Sequence, residues 1–204
     1  MKFVIDRNSL INLQRYYYFD RNSTGVNYEV FNNFIKEKIE NGQIIIINKV
    51  DEEGINGIKK EFNIKNSLIK QELNYLNMLE LIADEQLNIN PYHTNKNEEI
   101  EVIKIQEKTQ KADLSLIAYC KMLKDKGENV CLITDERKID YTKNNNAYAK
   151  RYTKYYKRIP NICENYDIKC RDLPYLLFEI FSNELEISLN RKSKNNKLNH
   201  FFRK

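Results

Sequence analysis

Six carboxylates occupy places from which they could share chemistry. Asp6 directly follows the apolar run Phe3-Val4-Ile5, and Glu52 and Glu53 follow the run Ile44 to Ile47 by a few residues. Asp113 opens the stretch K-A-D-L-S-L-I-A-Y, and Thr134-Asp135-Glu136 directly follow Val130 to Ile133. In an open parallel sheet ligands bind outside the carboxyl ends of the strands, so acids that end strands can converge there. Converging carboxylates repel one another, and stay ionised at low cost only beside a cation. Oxygen donors without His or Cys favour Mg²⁺ or Mn²⁺, as one ion or two. Two such ions ~4 Å apart would activate a water and stabilise the leaving oxygen in phosphodiester cleavage. Each acid also has a plainer reading. Asp113 could cap a helix, worth about 1 kcal/mol; Glu52 and Glu53 could be solvated first-turn acids; Asp135 and Glu136 could begin a surface loop. Asp6 resists such a reading, because a carboxylate directly behind a buried strand needs partners.

The elements that must position these acids can be read from the apolar pattern. FVI (3–5), IIII (44–47), VCLI (130–133) and DIKC (167–170) suit strands covered on both faces, as in a parallel sheet. Helical spacing links Tyr28, Phe31, Phe34, Ile35 and Ile39 up to Asn41-Gly42. It links Leu116, Ile117, Cys120 and Leu123 up to Lys126-Gly127, and a last helix covers Leu173 to Phe181. Strand and helix in alternation predict a doubly wound α/β domain. Residues 55–111 read as a helical insertion, with helices near 56–62, 66–87 and 97–110 and a break at Asn90-Pro91. One domain over residues 1–190 and a basic tail over 191–204 are expected.

Composition narrows the chemistry. The chain of 204 residues suits a single domain with a real core. No signal peptide and no stretch of roughly 20 apolar residues is evident, so a cytoplasmic protein is expected. Cys120, Cys131, Cys163 and Cys170 have no CxxC spacing and no neighbouring histidine, which favours buried thiols over zinc. With only His93 and His200, histidine acid–base cleavage and a Ser-His-Asp hydrolase are disfavoured.

The net charge of +5 is unevenly placed: residues 191–204 hold six Lys/Arg and no acid, and residues 137–158 hold eight Lys/Arg against Asp140 alone. The second stretch begins at the proposed acid edge. Arg137, Lys138, Lys157 and Arg158 could track phosphates, while tyrosines such as Tyr141 stack on unpaired bases. That mixture fits single-stranded or structured RNA better than duplex DNA. Tyr148, Tyr152 and Tyr155 fall at helical spacing and could equally pack inward.

The ordered set V-I-D-R-N-S-L-I, V-D-E-E, K-A-D-L-S-L-I-A-Y, L-I-T-D-E and I-P-N-I-C-E resembles a PIN-domain ribonuclease, most closely a bacterial subgroup associated with toxin–antitoxin modules. The resemblance covers most of residues 1–182. It implies a PIN-like parallel sheet ordered 3-2-1-4-5 between helices, an Mg²⁺ or Mn²⁺-dependent endoribonuclease, a cognate antitoxin as partner, and a possible homodimer. It makes Asp6 the central metal ligand, with Asn8 and Ser9 as local support. Glu53 or Glu52 becomes the second acid, Asp113 the third and Glu136 or Asp135 the fourth, with Thr134 orienting the site. Three positions depart from the family's pattern: Arg7 stands where Thr is usual, Gly54 where an apolar residue is usual, and Leu114 where Pro is common. Arg7 places a cation beside the site, where it would grip a scissile phosphate or weaken metal binding. Two other readings remain open, a non-catalytic RNA-binding module on the same fold and an aspartate-dependent phosphatase. The phosphatase commonly needs an acid at the position held by Asn8.

Overall fold

The computed structural model describes residues 1–20, 28–89, 111–138 and 158–185. Within them a parallel sheet of four strands is ordered β2-β1-β3-β4, with β1 at Lys2–Ile5, β2 at Ile44–Ile45, β3 at Val130–Ile133 and β4 at Lys169–Arg171. Phe3, Val4 and Ile5, like Cys131, Leu132 and Ile133, are wholly buried, as continuous apolar strands in a covered sheet should be.

Helix α1 (Arg7–Asp20) follows β1 at once, a helix that the apolar pattern had not marked. Helix α2 (Tyr28–Glu40) buries Phe31, Ile35 and Ile39 and leads into β2. Two short helices follow, α3 (Asn48–Glu52) and α4 (Asn56–Glu61). Helix α5 (Leu76–Ile89) packs against α6 (Lys111–Asp125), which leans on β1 and β3 through Leu116, Ile117 and Cys120. At the end of α6, Gly127 takes φ +79° and the Glu128 N–H bonds back to the Leu123 carbonyl at 3.0 Å, a left-handed stop that delivers the chain to β3. Helix α7 (Ile159–Asn165) packs on β4.

The five-strand order is corrected to four strands among the described residues. The place of a further strand beside β2 is taken by a single parallel bridge, Ile47 to Lys70. Gln43 turns its carbonyl to Phe3 of β1, whereas Ile46 and Asn48 turn to Lys70 on the opposite edge. The chain turns helical at Asn48, so the ladder stops after one rung. The same rung interrupts the helix expected over 66–87: two 3₁₀ turns, Asn66–Leu68 and Glu72–Asn74, precede α5. The helix expected over Leu173 to Phe181 is widened to π geometry at Tyr175–Ile180, with the Phe181 N–H bonded to the Leu176 carbonyl at 3.1 Å. That turn seats the buried Phe181 ring edge-on to Phe3 and Phe34. Helix α8 (Ser182–Leu185) closes the described chain, its Glu184 paired with the buried Lys38 of α2. The helix expected near 97–110, the break at Asn90-Pro91 and the tail 191–204 lie outside the described residues. Among the described residues no helix is long and apolar enough to cross a membrane.

Candidate active site

The register of β1 on β3 builds the centre of the site. Ile5 pairs with Ile133, so Asp6 and Thr134 leave the sheet side by side, and the Asp6 N–H still donates to the Ile133 carbonyl at 3.0 Å. Asp6 is 5% exposed, and both its oxygens are engaged. Oδ1 accepts from the Ser9 backbone N–H at 2.6 Å, and Oδ2 accepts from the Thr134 hydroxyl at 2.6 Å. The first bond caps α1, since its early N–H groups have no partner inside the helix. Burial pushes the Asp6 carboxyl above its ordinary value. The Thr134 and Ser9 donors pull it back in part, and Asp135 adds to the rise.

Two further acids, Asp113 and Glu53, feel the negative charge of Asp6. Asp113, in the first turn of α6, has its carboxyl pushed up to about 7, first by burial and then by the negative charges of Glu136, Glu53 and Asp6, with Arg158 pulling the other way. Glu53 is also raised by burial, lowered by Arg7 and raised by Asp6. It sits at the end of α3, where Gly54 takes φ +93° and donates to the Asp51 carbonyl at 3.0 Å. A side chain there would strain the turn, which accounts for glycine at that position. Glu52, one residue earlier, accepts from Lys49 at 2.9 Å and from Asn48 at 3.2 Å.

The pair after β3 divides its roles. Asp135 accepts from the Asn12 side chain at 2.5 Å and from the Leu173 N–H at 3.1 Å, tying α1 and the segment just after β4 to the end of β3. Glu136 accepts from Arg158 at 2.9 Å through Oε1 and from the Ile159 N–H at 3.1 Å through Oε2, while its own N–H donates to the Thr134 hydroxyl at 3.1 Å. Sequence reasoning did not find Asn12; its place four residues after Asn8 would have marked it once α1 was recognised. Nor did it find that Arg158 clasps Glu136.

Of the remaining candidates, Asn8 is exposed, while Ser9 is buried beside the Asp6 carboxylate. Arg7 is half-buried and its Nε has no hydrogen-bond partner among the described residues. Arg137 is exposed, and Lys138 pairs with Glu164 at 2.7 Å across the surface. Tyr141, Tyr148, Tyr152, Tyr155, Lys157, His93 and His200 lie outside the described residues. The four cysteines are free thiols, three of them buried, and burial pushes Cys131 up to about 12.

Among the described residues no three His, Cys, Asp or Glu side chains stand close enough to form a ready ion site. Charges act over longer distances than ligation does, so Asp6, Glu53 and Glu136 raise Asp113 without standing in one ligand cluster with it. Their chemistry nevertheless suits a hard divalent cation. All donors are oxygens, and Asp113 and Glu53 have no hydrogen-bond donor among the described residues. The repulsion that raises Asp113 is the one a cation would relieve.

Among the described residues the class of the protein is α/β, a short parallel sheet of four strands flanked by helices. Residues 3–182 match a family described as a domain of unknown function, DUF4411, and the chain belongs to that family. No curated protein and no solved structure gives a significant match to it.

Proposed function

We propose that this protein is a PIN-like, Mg²⁺ or Mn²⁺-dependent endoribonuclease. The observation that carries the reading is Asp113: a carboxyl pushed up to about 7 by burial and by three neighbouring acids, at the strand edge where α/β proteins bind ligands. The sheet, with the strand bearing Asp6 beside the strand that precedes Glu136, is consistent with the central part of the 3-2-1-4-5 order.

Asp6, Glu53 and Asp113 would hold the ion, with Glu136 as the fourth acid. A bound Mg²⁺ or Mn²⁺ would offset their repulsion, polarise the scissile phosphate and lower the pKa of an attacking water. Thr134 and the Ser9 N–H fix the Asp6 carboxylate so that one rotamer faces the edge. Asn12 and Leu173 fix Asp135, which braces the loop, and Glu136 is the acid of the pair whose charge raises Asp113. On this reading Arg7, Arg137, Lys138, Lys157 and Arg158 would supply positive charge for a phosphate backbone, and Tyr141 a face for a base.

A toxin restrained by a cognate antitoxin, active in the cytoplasm, completes the proposal; it rests on the family resemblance of the motifs. The test is end-group analysis of an RNA treated with protein and Mn²⁺. Hydrolysis by water leaves no 2′,3′-cyclic phosphate, so cyclic ends, or cleavage that persists in EDTA, would contradict the mechanism. One observation favours a second reading, a non-catalytic RNA-binding module: Glu136 is already occupied by Arg158 and the Ile159 N–H. That module would bind RNA with no response to divalent ion.

A further inference from the structure

The contact between Arg158 and Glu136 joins two groups that the proposed reaction needs apart, and this inference rests on that reading. Both oxygens of Glu136 are taken by donors from the start of α7, Arg158 just before the helix and Ile159 as its first residue. The donors differ in kind. The Ile159 N–H belongs to the first turn of α7, whose start is fixed by bonds from the Asn161 and Ile162 N–H groups to the Arg158 carbonyl at 2.9 and 3.1 Å. The Arg158 guanidinium hangs from that fixed backbone with its side chain 48% exposed, against 19% for Glu136. It can therefore leave without disturbing the helix. When it leaves, Oε1 of Glu136 is freed while Oε2 keeps its bond to Ile159 and with it the carboxylate's orientation.

We infer that Arg158 is a substrate-operated latch: with no RNA bound it covers Glu136, and an RNA phosphate draws it off and opens Glu136 to the divalent ion. Guanidinium binds carboxylate and phosphate by the same fork of N–H donors, so the two compete for it directly. The exposed ion pair is weak enough to exchange, since pairs of this kind are worth ~0.2–1 kcal/mol. Asp135, whose donors are a backbone N–H and an amide, has no such exchangeable partner. The consequence is reciprocal coupling: RNA tightens ion binding, and the ion tightens RNA binding.

The experiment is a calorimetric titration of Mn²⁺ into wild type, Arg158→Ala and the double variant Arg158→Ala/Glu136→Gln, with and without a short, uncleavable 2′-O-methyl oligoribonucleotide. Without RNA, Arg158→Ala should bind Mn²⁺ more tightly than wild type, by up to roughly fivefold. The double variant should lose that gain. The oligonucleotide should tighten Mn²⁺ binding to wild type and leave Arg158→Ala unchanged. Equal Mn²⁺ affinity of wild type and Arg158→Ala, with the coupling to RNA preserved, would overturn the latch and leave the metal site standing. Absence of Mn²⁺ binding in wild type and Arg158→Ala alike would overturn the proposed function and the latch together. A thermal melt of each variant establishes that it is folded; Arg158 is half exposed and its removal creates no cavity.

Discussion

Replacing Asp113 with Asn should stabilise the metal-free protein at alkaline pH and hardly alter it in acid. In the folded chain the Asp113 carboxyl titrates at about 7, against an ordinary 3.8 once the chain unfolds. Below 3.8 both states hold the proton. Between the two values only the folded state holds it, so stability falls as pH rises through that window and levels off above about 7. The full gap is worth ~4 kcal/mol at most, and water at the partly open edge screens it, so ~2 kcal/mol is a working figure. For a domain of this size that is a shift of roughly 4–8 °C in Tm. Asn keeps the shape and never ionises, so it removes the penalty. The assay is thermal unfolding by circular dichroism in EDTA, wild type against Asp113→Asn, at about pH 4 and about pH 8. The variant should melt higher at the upper pH and nearly level at the lower. Saturating Mn²⁺ at the upper pH should raise wild type and leave the variant unchanged. A variant that melts lower at alkaline pH, or by the same margin at both, would refute the claim that Asp113 is held against repulsion.

Four other outcomes follow from the same geometry. Asp135→Ala removes the acceptor for Asn12 and for the Leu173 N–H, so it should lower stability by ~1–3 kcal/mol and leave Mn²⁺ affinity as it was. Thr134→Val takes a donor from Asp6 and raises its carboxyl further, so calorimetry over a pH series should find the midpoint for Mn²⁺ binding moved to higher pH. Glu53→Gln should weaken Mn²⁺ on the order of tenfold, or ~1.4 kcal/mol, whereas Glu52→Gln, paired with Lys49, should leave titrations unchanged. Arg7→Ala should weaken RNA binding and reduce its salt slope by ~1, read by fluorescence anisotropy across ionic strengths, without loss of Mn²⁺ affinity.

The central strands and two of the helices were legible because continuous apolar runs and a 3.6-residue period leave few other folds. Phe3 to Ile5 and Val130 to Ile133 become strands, and the helix through Leu116 and Cys120 ends at Gly127. The need of Asp6 for partners was legible because a buried acid after a strand demands donors, and Thr134 and Ser9 supply them. What the pattern did not carry was set by tertiary contact. Helix α1 has polar residues at half of its positions, and the edge of the sheet beside β2 is one bridge at Lys70 where a strand was expected. The choice between Glu52 and Glu53 depends on where α3 stops, a matter of one residue at Gly54. The division between Asp135 and Glu136 depends on α7, which presents Arg158 and the Ile159 N–H from more than twenty residues away.

The most direct test of the central claim is to titrate Mn²⁺ into wild type and Asp6→Asn while following bound metal and cleavage of a structured RNA such as tRNA. Asn can still accept the Ser9 N–H and cap α1, so the variant should fold. The account predicts that metal binding and cleavage appear together in wild type and are lost together in Asp6→Asn. Cleavage that survives the substitution, or RNA bound by wild type with neither metal uptake nor cleavage, would contradict it.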